Sequence, residues 1–148
     1  MGIFAKKIMG CIVGIDYGSK RTGLATTDPM QIIASSLITL PTTEVISFLK
    51  TYSDQAPIEA FVVGQPIQKD GSSSFVEIQI AQFITALESE FPNCKVDRYD
   101  ERFTSKLAVQ TILQSGVKKK KRMDKTIIDR VSATLILQSY LDYKSKKI

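Results

Sequence analysis

The order of strand-like and helix-like segments restricts the fold of this 148-residue chain more than any other feature. Short runs of β-branched and apolar residues, separated by turn-forming residues, predict strands at 12–16, 22–27, 32–40, 60–64 and 95–100. The first three strands follow closely on one another and predict an antiparallel meander. The run at 60–64 is continuously apolar up to its final glycine, which is typical of a central strand covered on both faces.

Helices are predicted after the third strand and between the later strands. One follows Pro41, with apolar residues at helical spacing at Val45, Phe48, Leu49 and Tyr52. The strongest stripe belongs to the next helix and consists of Val76, Ile80, Phe83, Ile84, Leu87 and Phe91. Ser74 and Glu77 have the spacing of a capping box at its start. Two more helices are predicted at about 105–116 and from 124 to about 143.

The element order βββαβαβα predicts an α/β fold in which helices flank a mixed five-stranded sheet. This is the order of a ribonuclease H-like domain. The length suits one domain over residues 1–148. We expect an N-terminal extension at 1–10, a mobile basic loop at 117–123 and a basic tail at 144–148.

The composition excludes several kinds of site. The chain contains no histidine, which excludes a Ser–His or Cys–His catalytic pair and a His-ligated zinc site. Its two cysteines, Cys11 and Cys94, form no Cys-X-X-Cys motif and are expected to be buried, reduced thiols. No apolar run reaches the roughly 20 residues that a membrane span requires, and residues 1–7 are not expected to act as a secretory signal. We therefore expect a cytoplasmic protein.

Three acidic residues stand at positions that suit metal binding. Asp16 ends the first predicted strand, Glu101 follows the fifth, and Asp129 lies on a mostly apolar face of the last helix. Without imidazole, the remaining chemistry is that of carboxylates around a hard cation such as Mg²⁺ or Mn²⁺. Simpler interpretations are a turn residue for Asp16 and an exposed acid paired with Arg102 for Glu101. A buried lone carboxylate at Asp129 would cost several kcal/mol, which favours a shared cation.

Positive charge is concentrated in the second half of the chain. The net charge is +5. One dense cluster consists of Lys118, Lys119, Lys120, Lys121 and Arg122, and a second consists of Lys144, Lys146 and Lys147. This distribution suits a polyanionic partner, although a lysine run alone is equally compatible with a solvated loop.

Four segments give the chain a family resemblance: GIDYGSKRTGLATTD, VVGQPIQKDGS, YDERFTS and IIDRVSATLILQSYL. They occur in the order found in the YqgF/RuvX family and lie within residues 12–141, so the chain resembles that family over nearly its whole length. The family is described as Holliday-junction resolvases and as nucleases that mature the 5′ end of pre-16S ribosomal RNA. Gln65, Arg130 and Ser132 depart from the residues usual in the family and bear on substrate preference.

The resemblance implies metal-assisted phosphodiester hydrolysis with Mg²⁺ or Mn²⁺ as cofactor. It assigns the catalytic and metal-binding carboxylates to Asp16, Glu101 and Asp129. The implied partner is nucleic acid, either precursor ribosomal RNA or branched DNA, bound by a monomer or weak homodimer. Contacts to this partner are expected from Lys20, Arg21, Lys69, Arg102, Lys118, Lys119, Lys120, Lys121 and Arg122.

Three other functions stay open. A Holliday-junction resolvase acting on branched DNA needs two active sites related by a two-fold axis, whereas RNA trimming needs one. A non-catalytic RNA-binding factor would keep the fold and the basic loop. The turn at 16–21 also resembles the first phosphate-binding turn of the actin–hexokinase superfamily, which implies an ATP-dependent phosphotransferase. No aromatic stacking platform is evident in the sequence, so sequence-specific reading of single strands is not expected.

Overall fold

The computed structural model describes residues 10–68, 70–71, 74–103 and 125–146, and for 125–130 and 146 only the backbone. Its elements are β1 (Cys11–Asp16), β2 (Arg21–Thr27), β3 (Ala34–Pro41), a 3₁₀ turn (Thr42–Glu44), α1 (Val45–Gln55), β4 (Ile58–Gln65), α2 (Val76–Glu90), β5 (Lys95–Asp100), a second 3₁₀ turn (Glu101–Phe103) and α3 (Lys125–Lys146). The helix predicted at 105–116 and the basic loop at 117–123 lie outside the described residues. None of the helices within these ranges has the length and apolarity needed to span a bilayer.

The strands form one sheet in the order β3-β2-β1-β4-β5. β2 is antiparallel to both β1 and β3, whereas β4 is parallel to both β1 and β5. The predicted mixed five-stranded sheet is therefore confirmed. Because β1, β4 and β5 point the same way, their carboxyl ends lie along one edge of the sheet, where open α/β folds bind ligands. We call this edge the carboxyl edge.

A hydrophobic core covers each face of the sheet. The face under α1 and α2 buries Val13, Ile15, Phe61, Val63, Leu49, Ile80 and Leu87. The opposite face lies under α3 and buries Ile12, Ala25, Val62, Ala133, Ile136 and Leu137. The predicted stripe of α2 is confirmed, since every one of its residues belongs to the first core or packs against it. Full burial of each large aliphatic side chain stabilises the fold by roughly 1.5–3 kcal/mol.

Two glycines allow α3 to lie close to the sheet. A Cβ added to Gly14 of β1 would stand 2.8 Å from the Cβ of Leu137 and 3.1 Å from the carbonyl oxygen of Ala133. A Cβ added to Gly64 of β4 would stand 2.8 Å from Cδ1 of Ile136. Such distances are shorter than packed carbon atoms tolerate without displacement. α3 therefore lies in close contact with β1 and β4.

The capping box predicted at the start of α2 is wrong. The hydroxyl of Ser74 accepts a hydrogen bond of 3.3 Å from the N–H of Val76. The side chain of Glu77, however, is bound to Arg98 of β5 and does not cap the helix. A bidentate, charge-assisted pair is stronger than a hydrogen bond to a neutral backbone N–H, which explains the outcome.

The third strand begins two residues later than the sequence predicts. It starts at Ala34, because the carboxylate of Asp28 accepts hydrogen bonds from the N–H groups of Met30, Ile32 and Ile33 at 3.0, 2.9 and 2.8 Å. These bonds lower the pKa of Asp28, most strongly the one from Ile33. They hold residues 30–33 in a turn that leaves Ile32 and Ile33 61% and 62% exposed.

Both cysteines are free thiols, as expected. Cys11 is buried at the start of β1. The thiol of the half-buried Cys94 donates a hydrogen bond of 3.2 Å to the carbonyl oxygen of Ile58. Burial raises the pKa of the Cys94 thiol, so this residue lacks the character of a reactive thiolate.

Candidate active site

The turn between β1 and β2 fixes the position of Asp16 at the carboxyl edge. A Cβ on Gly18 would stand 2.3 Å from the carbonyl oxygen of Arg21, so the turn closes only with glycine there. The hydroxyl of Thr42 donates a hydrogen bond of 2.5 Å to the Gly18 carbonyl oxygen and lies 2.8 Å from the hydroxyl of Thr22. These contacts tie the turn to the 3₁₀ turn that precedes α1.

The side chains of this turn lie on opposite faces of the sheet. The ring of Tyr17 packs on Phe83 of α2 with centroids 5.2 Å apart, which anchors the turn to the first core. Gly14 faces α3, and side chains two residues apart in a strand share a face. Asp16 therefore belongs to the α3 face, where it is half-buried at the end of β1.

Glu101 reaches the same place from the end of β5. It begins the second 3₁₀ turn, and a Cβ on Gly64 would stand 2.7 Å from its Oε2 and 3.0 Å from its Cγ. In the parallel register of β1 and β4, Ile15 pairs with Val63, so Asp16 and Gly64 are neighbours along the carboxyl edge. The structure thus places Asp16 and the Glu101 carboxylate next to the same glycine of β4.

The surroundings of Glu101 favour a cationic partner. Burial raises the pKa of Glu101 above its ordinary value, the charge of Arg98 opposes this shift, and the charges of Asp100 and Glu77 add to it. Glu101 is half-buried, so its interpretation as an exposed acid is wrong. Two carboxylates at one edge provide the hard oxygen ligands that Mg²⁺ and Mn²⁺ prefer, and the missing Cβ of Gly64 lets the Glu101 side chain lie against β4. The residues present fit a divalent cation.

The contacts of α3 show its direction across the sheet. Ile136 lies against Gly64, near the carboxyl end of β4. One turn later, the hydroxyl of Tyr140 donates a hydrogen bond to Asp97, which pairs with Val62 farther from the carboxyl edge. The helix therefore begins at the carboxyl edge and runs towards the amino ends of β1 and β4.

The backbone position of Asp129 is in α3, one turn before Ala133, which contacts β1. The helix direction places position 129 towards the edge that holds Asp16 and Glu101. The side chain of Asp129 is outside the described part of the chain, and among the side chains inside it no three His, Cys, Asp or Glu residues are placed to hold a metal ion. A third ligand at Asp129 stays a prediction.

The predicted phosphate-binding residues divide into three groups. Lys20 is exposed and Arg21 half-buried in the turn after Asp16, so both stand near the carboxyl edge. Arg102 follows Glu101 and forms an ion pair of 2.7 Å with Asp100, which lowers the pKa of that carboxyl. Lys69, Lys118, Lys119, Lys120, Lys121 and Arg122 lie outside the described residues.

Arg98, which none of the sequence motifs singled out, supports the end of β4 from the face opposite Glu101. Its Nε and Nη2 donate to the carbonyl oxygens of Val63 and Gly64 at 3.2 and 3.1 Å. Its Nη1 and Nη2 also donate to Glu77 at 2.7 and 2.9 Å, and these bonds lower the pKa of Glu77. An arginine two residues after the inward-facing Val96 was the available signal, because an inward charge in a strand requires a partner.

Arg98→Ala should lower the free energy of unfolding by about 1–3 kcal/mol, because it leaves Glu77 and two carbonyl groups without their donor. The Arg98–Glu77 side chains are only 25% and 21% exposed. Lys50→Ala is the matched control, since the Lys50–Glu90 pair is 56% and 44% exposed and should contribute about 0–1 kcal/mol. Urea unfolding at neutral pH measures both variants.

The same experiment has a defined pH dependence. The pKa of Glu77 is lowered in the folded protein, so the Arg98 contribution is complete above the ordinary glutamate pKa. It should shrink as the pH falls through the lowered pKa, because protonated Glu77 no longer attracts the guanidinium. A difference between wild type and Arg98→Ala that grows on acidification would contradict this role.

The strand order defines the class of fold, which is the ribonuclease H-like α/β fold. The chain belongs to the RuvX family, described as Holliday junction resolvase, which matches residues 10–143. It is an enzyme of the nuclease class, a hydrolase that acts on nucleic acids. This membership sets aside the phosphotransferase alternative.

Relatives and solved structures agree with this class. A Flavobacterium johnsoniae protein named "Putative pre-16S rRNA nuclease" is 52% identical over 133 residues, covering 90% of this chain and 96% of its own. A Porphyromonas gingivalis protein of the same name is 48% identical over 134 residues, covering 90% and 97%. RuvC of T. thermophilus, solved in complex with a Holliday junction substrate, superimposes with a TM-score of 0.57 at 14% identity, covering 92% of this chain and 96% of RuvC. The last likeness shows the fold.

Proposed function

We propose that this protein is a metal-dependent nuclease that processes the 5′ end of pre-16S ribosomal RNA. The observation that supports this most directly is the convergence of Asp16 and Glu101 on Gly64 at the carboxyl edge. Nucleases of this kind generally depend on divalent metal ions. The names of the relatives from Flavobacterium and Porphyromonas supply the RNA as the specific substrate.

In this proposal, Asp16, Glu101 and Asp129 hold Mg²⁺ or Mn²⁺. A divalent cation bound there supplies activation of water and stabilisation of the leaving oxygen of a phosphodiester. The chain's own contribution is to fix the carboxylates before substrate arrives. The Gly18 turn fixes Asp16, and the crowding at Gly64 restricts the rotamers that Glu101 can adopt.

Binding of the substrate backbone is assigned to the basic residues around the carboxyl edge. Lys20 and Arg21 follow Asp16 directly and are placed to neutralise phosphates on that side. On the side of Glu101, Arg102 would release Asp100 and bind a phosphate instead. Lys69, Lys118, Lys119, Lys120, Lys121 and Arg122 are proposed to add longer-range attraction that weakens with salt.

Resolution of branched DNA is the second candidate, because the family is described as Holliday junction resolvase. The two substrates make different demands on assembly. Symmetric cleavage of a four-way junction needs two copies of the site related by a two-fold axis, whereas one copy suffices for RNA trimming. We assign the RNA substrate and a protein that acts as a monomer or weak homodimer.

A Mn²⁺-dependent cleavage assay should therefore show faster cutting of a precursor 16S RNA fragment than of a synthetic four-way junction at equal concentration. EDTA should stop both reactions. Preferential and symmetric cutting of the junction would transfer the assignment to branched DNA. Binding of the RNA without cutting under any divalent metal would instead identify a non-catalytic RNA-binding factor.

A further inference from the structure

Four aromatic residues from two parts of the chain meet between α3 and the carboxyl-terminal part of β5. Tyr99 lies at the centre, with ring centroids 6.1 Å from Phe103, 6.5 Å from Tyr140 and 6.4 Å from Tyr143. All three pairs are tilted edge-to-face, at 64°, 90° and 64°, an arrangement that aromatic rings prefer. We call these four residues the aromatic cluster.

The aromatic cluster has a buried base and an exposed rim. Tyr140 is only 6% exposed, and its hydroxyl donates to Asp97, so it holds the cluster in the second core. Phe103 and Tyr143 are 65% and 49% exposed. Exposed rings gain little from folding, yet these two are held in place by contact with Tyr99. Such preorganised apolar surface is typical of a binding site.

A positively charged side chain lies next to the aromatic cluster. The ammonium group of Lys144 lies 5.4 Å from the centroid of the Tyr140 ring, within the range of a cation–π contact. Rings next to a cation suit a ligand that has both a flat π-face and a negative charge. A nucleotide has both features, in its base and its phosphate.

The aromatic cluster also adjoins the candidate active site. Phe103 belongs to the same 3₁₀ turn as Glu101, two residues farther along the chain. A strand of nucleic acid cut beside Glu101 would therefore pass close to Phe103. Tyr99 and Phe103 are four residues apart, whereas Tyr143 joins them only in the folded chain.

We propose that the aromatic cluster stacks the bases of an unpaired segment flanking the scissile phosphate, with Phe103 and Tyr143 as the contact rings. The inference deepens the proposed function and rests on it. In a duplex the base faces are covered by their neighbours, whereas an unpaired strand presents them to aromatic side chains. The protein would thus select substrates with a single-stranded flank, with little preference for base identity.

The chain has no tryptophan, which allows a direct test. Phe103→Trp introduces a single indole at the rim of the cluster, and a stacked base quenches indole fluorescence. The titration uses a short single-stranded oligonucleotide and a blunt duplex of the same sequence, both in EDTA so that no cutting occurs. Ile32→Trp is the matched control, because Ile32 is similarly exposed (61%) but lies in the β2–β3 turn, away from the carboxyl edge.

We expect the single strand to quench Phe103→Trp strongly and the duplex to quench it weakly, with Ile32→Trp unaffected by either. Phe103→Ala should weaken single-strand binding by about fivefold to a hundredfold, the range for loss of one stacked base. Equal affinity of Phe103→Ala and wild type, or no quenching of Phe103→Trp, would overturn the proposal.

The outcome is separate from that of the metal-dependent cleavage assay. Cleavage by a protein whose Phe103→Trp variant shows no quenching would leave the nuclease assignment intact and remove the aromatic cluster from substrate binding. Quenching without any cleavage would support base stacking by the aromatic cluster and overturn the nuclease assignment.

Discussion

Asp16→Asn is expected to reduce cleavage by roughly a thousandfold or more while leaving nucleic-acid binding equal or tighter. A metal ion contributes several kcal/mol to charge stabilisation in the transition state, and about 1.4 kcal/mol corresponds to a tenfold rate. Removal of a ligand carboxylate forfeits most of that contribution. Binding is spared because phosphates then meet less negative charge. Single-turnover cleavage and binding in EDTA separate the two effects.

Asp54→Asn is the matched control for this experiment. It removes the same charge from an exposed position on α1 and should leave cleavage unchanged. Thermal melting supplies a readout other than activity, since Mn²⁺ should raise the melting temperature of wild type by linkage and that of Asp16→Asn much less. Near wild-type cutting by Asp16→Asn with Mg²⁺ or Mn²⁺ would end the metal-nuclease proposal.

Gly64→Ala is expected to lower the cleavage rate by about a hundredfold at a cost of only about 1–3 kcal/mol in stability. The added Cβ would stand 2.7 Å from Oε2 of Glu101 and 2.8 Å from Cδ1 of Ile136. Both atoms are the ends of flexible side chains and can move away, so the fold survives. The carboxylate of Glu101, however, would leave the position beside Asp16.

Gly10→Ala is the control that separates crowding from loss of the site. A Cβ there would stand 2.9 Å from the backbone nitrogen of Glu59 and from the carbonyl oxygen of Pro57, at the amino ends of β1 and β4. It should destabilise the fold while sparing the cleavage rate per folded molecule. If Gly10→Ala loses as much activity as Gly64→Ala, reduced stability explains both and Glu101 has no special role.

Local patterns predicted the fold well because each strand and stripe depends on near neighbours in the sequence. The apolar run before Asp16 and the stripe of α2 are confirmed. The errors arose where one side chain met a distant partner. Glu77 accepts hydrogen bonds from Arg98 and so forms no capping box. Asp28 accepts hydrogen bonds from N–H groups that would otherwise pair with β2 in a longer third strand.

The candidate site was only partly predictable for the same reason. An acid at the end of a buried strand identifies Asp16, and the parallel topology brings Glu101 to the same edge. The support from Arg98 and the aromatic cluster depends on the exact packing of β5 against α2 and α3, which no local spacing encodes. Tyr99 and Tyr143 are 44 positions apart and meet only in the folded chain.

The placement of α3 also determines at which stage of translation the protein can become an active nuclease. Among the described residues, those of α3 cover the face of the sheet that contains Ile12, Ala25 and Val62, so this cover forms only after residues 133–141 have been synthesised. These contacts are long in sequence separation and therefore slow to form. The edge with Asp16 and Glu101 gains its neighbouring helix only at that moment. A nascent chain therefore carries both acids well before it can cut anything.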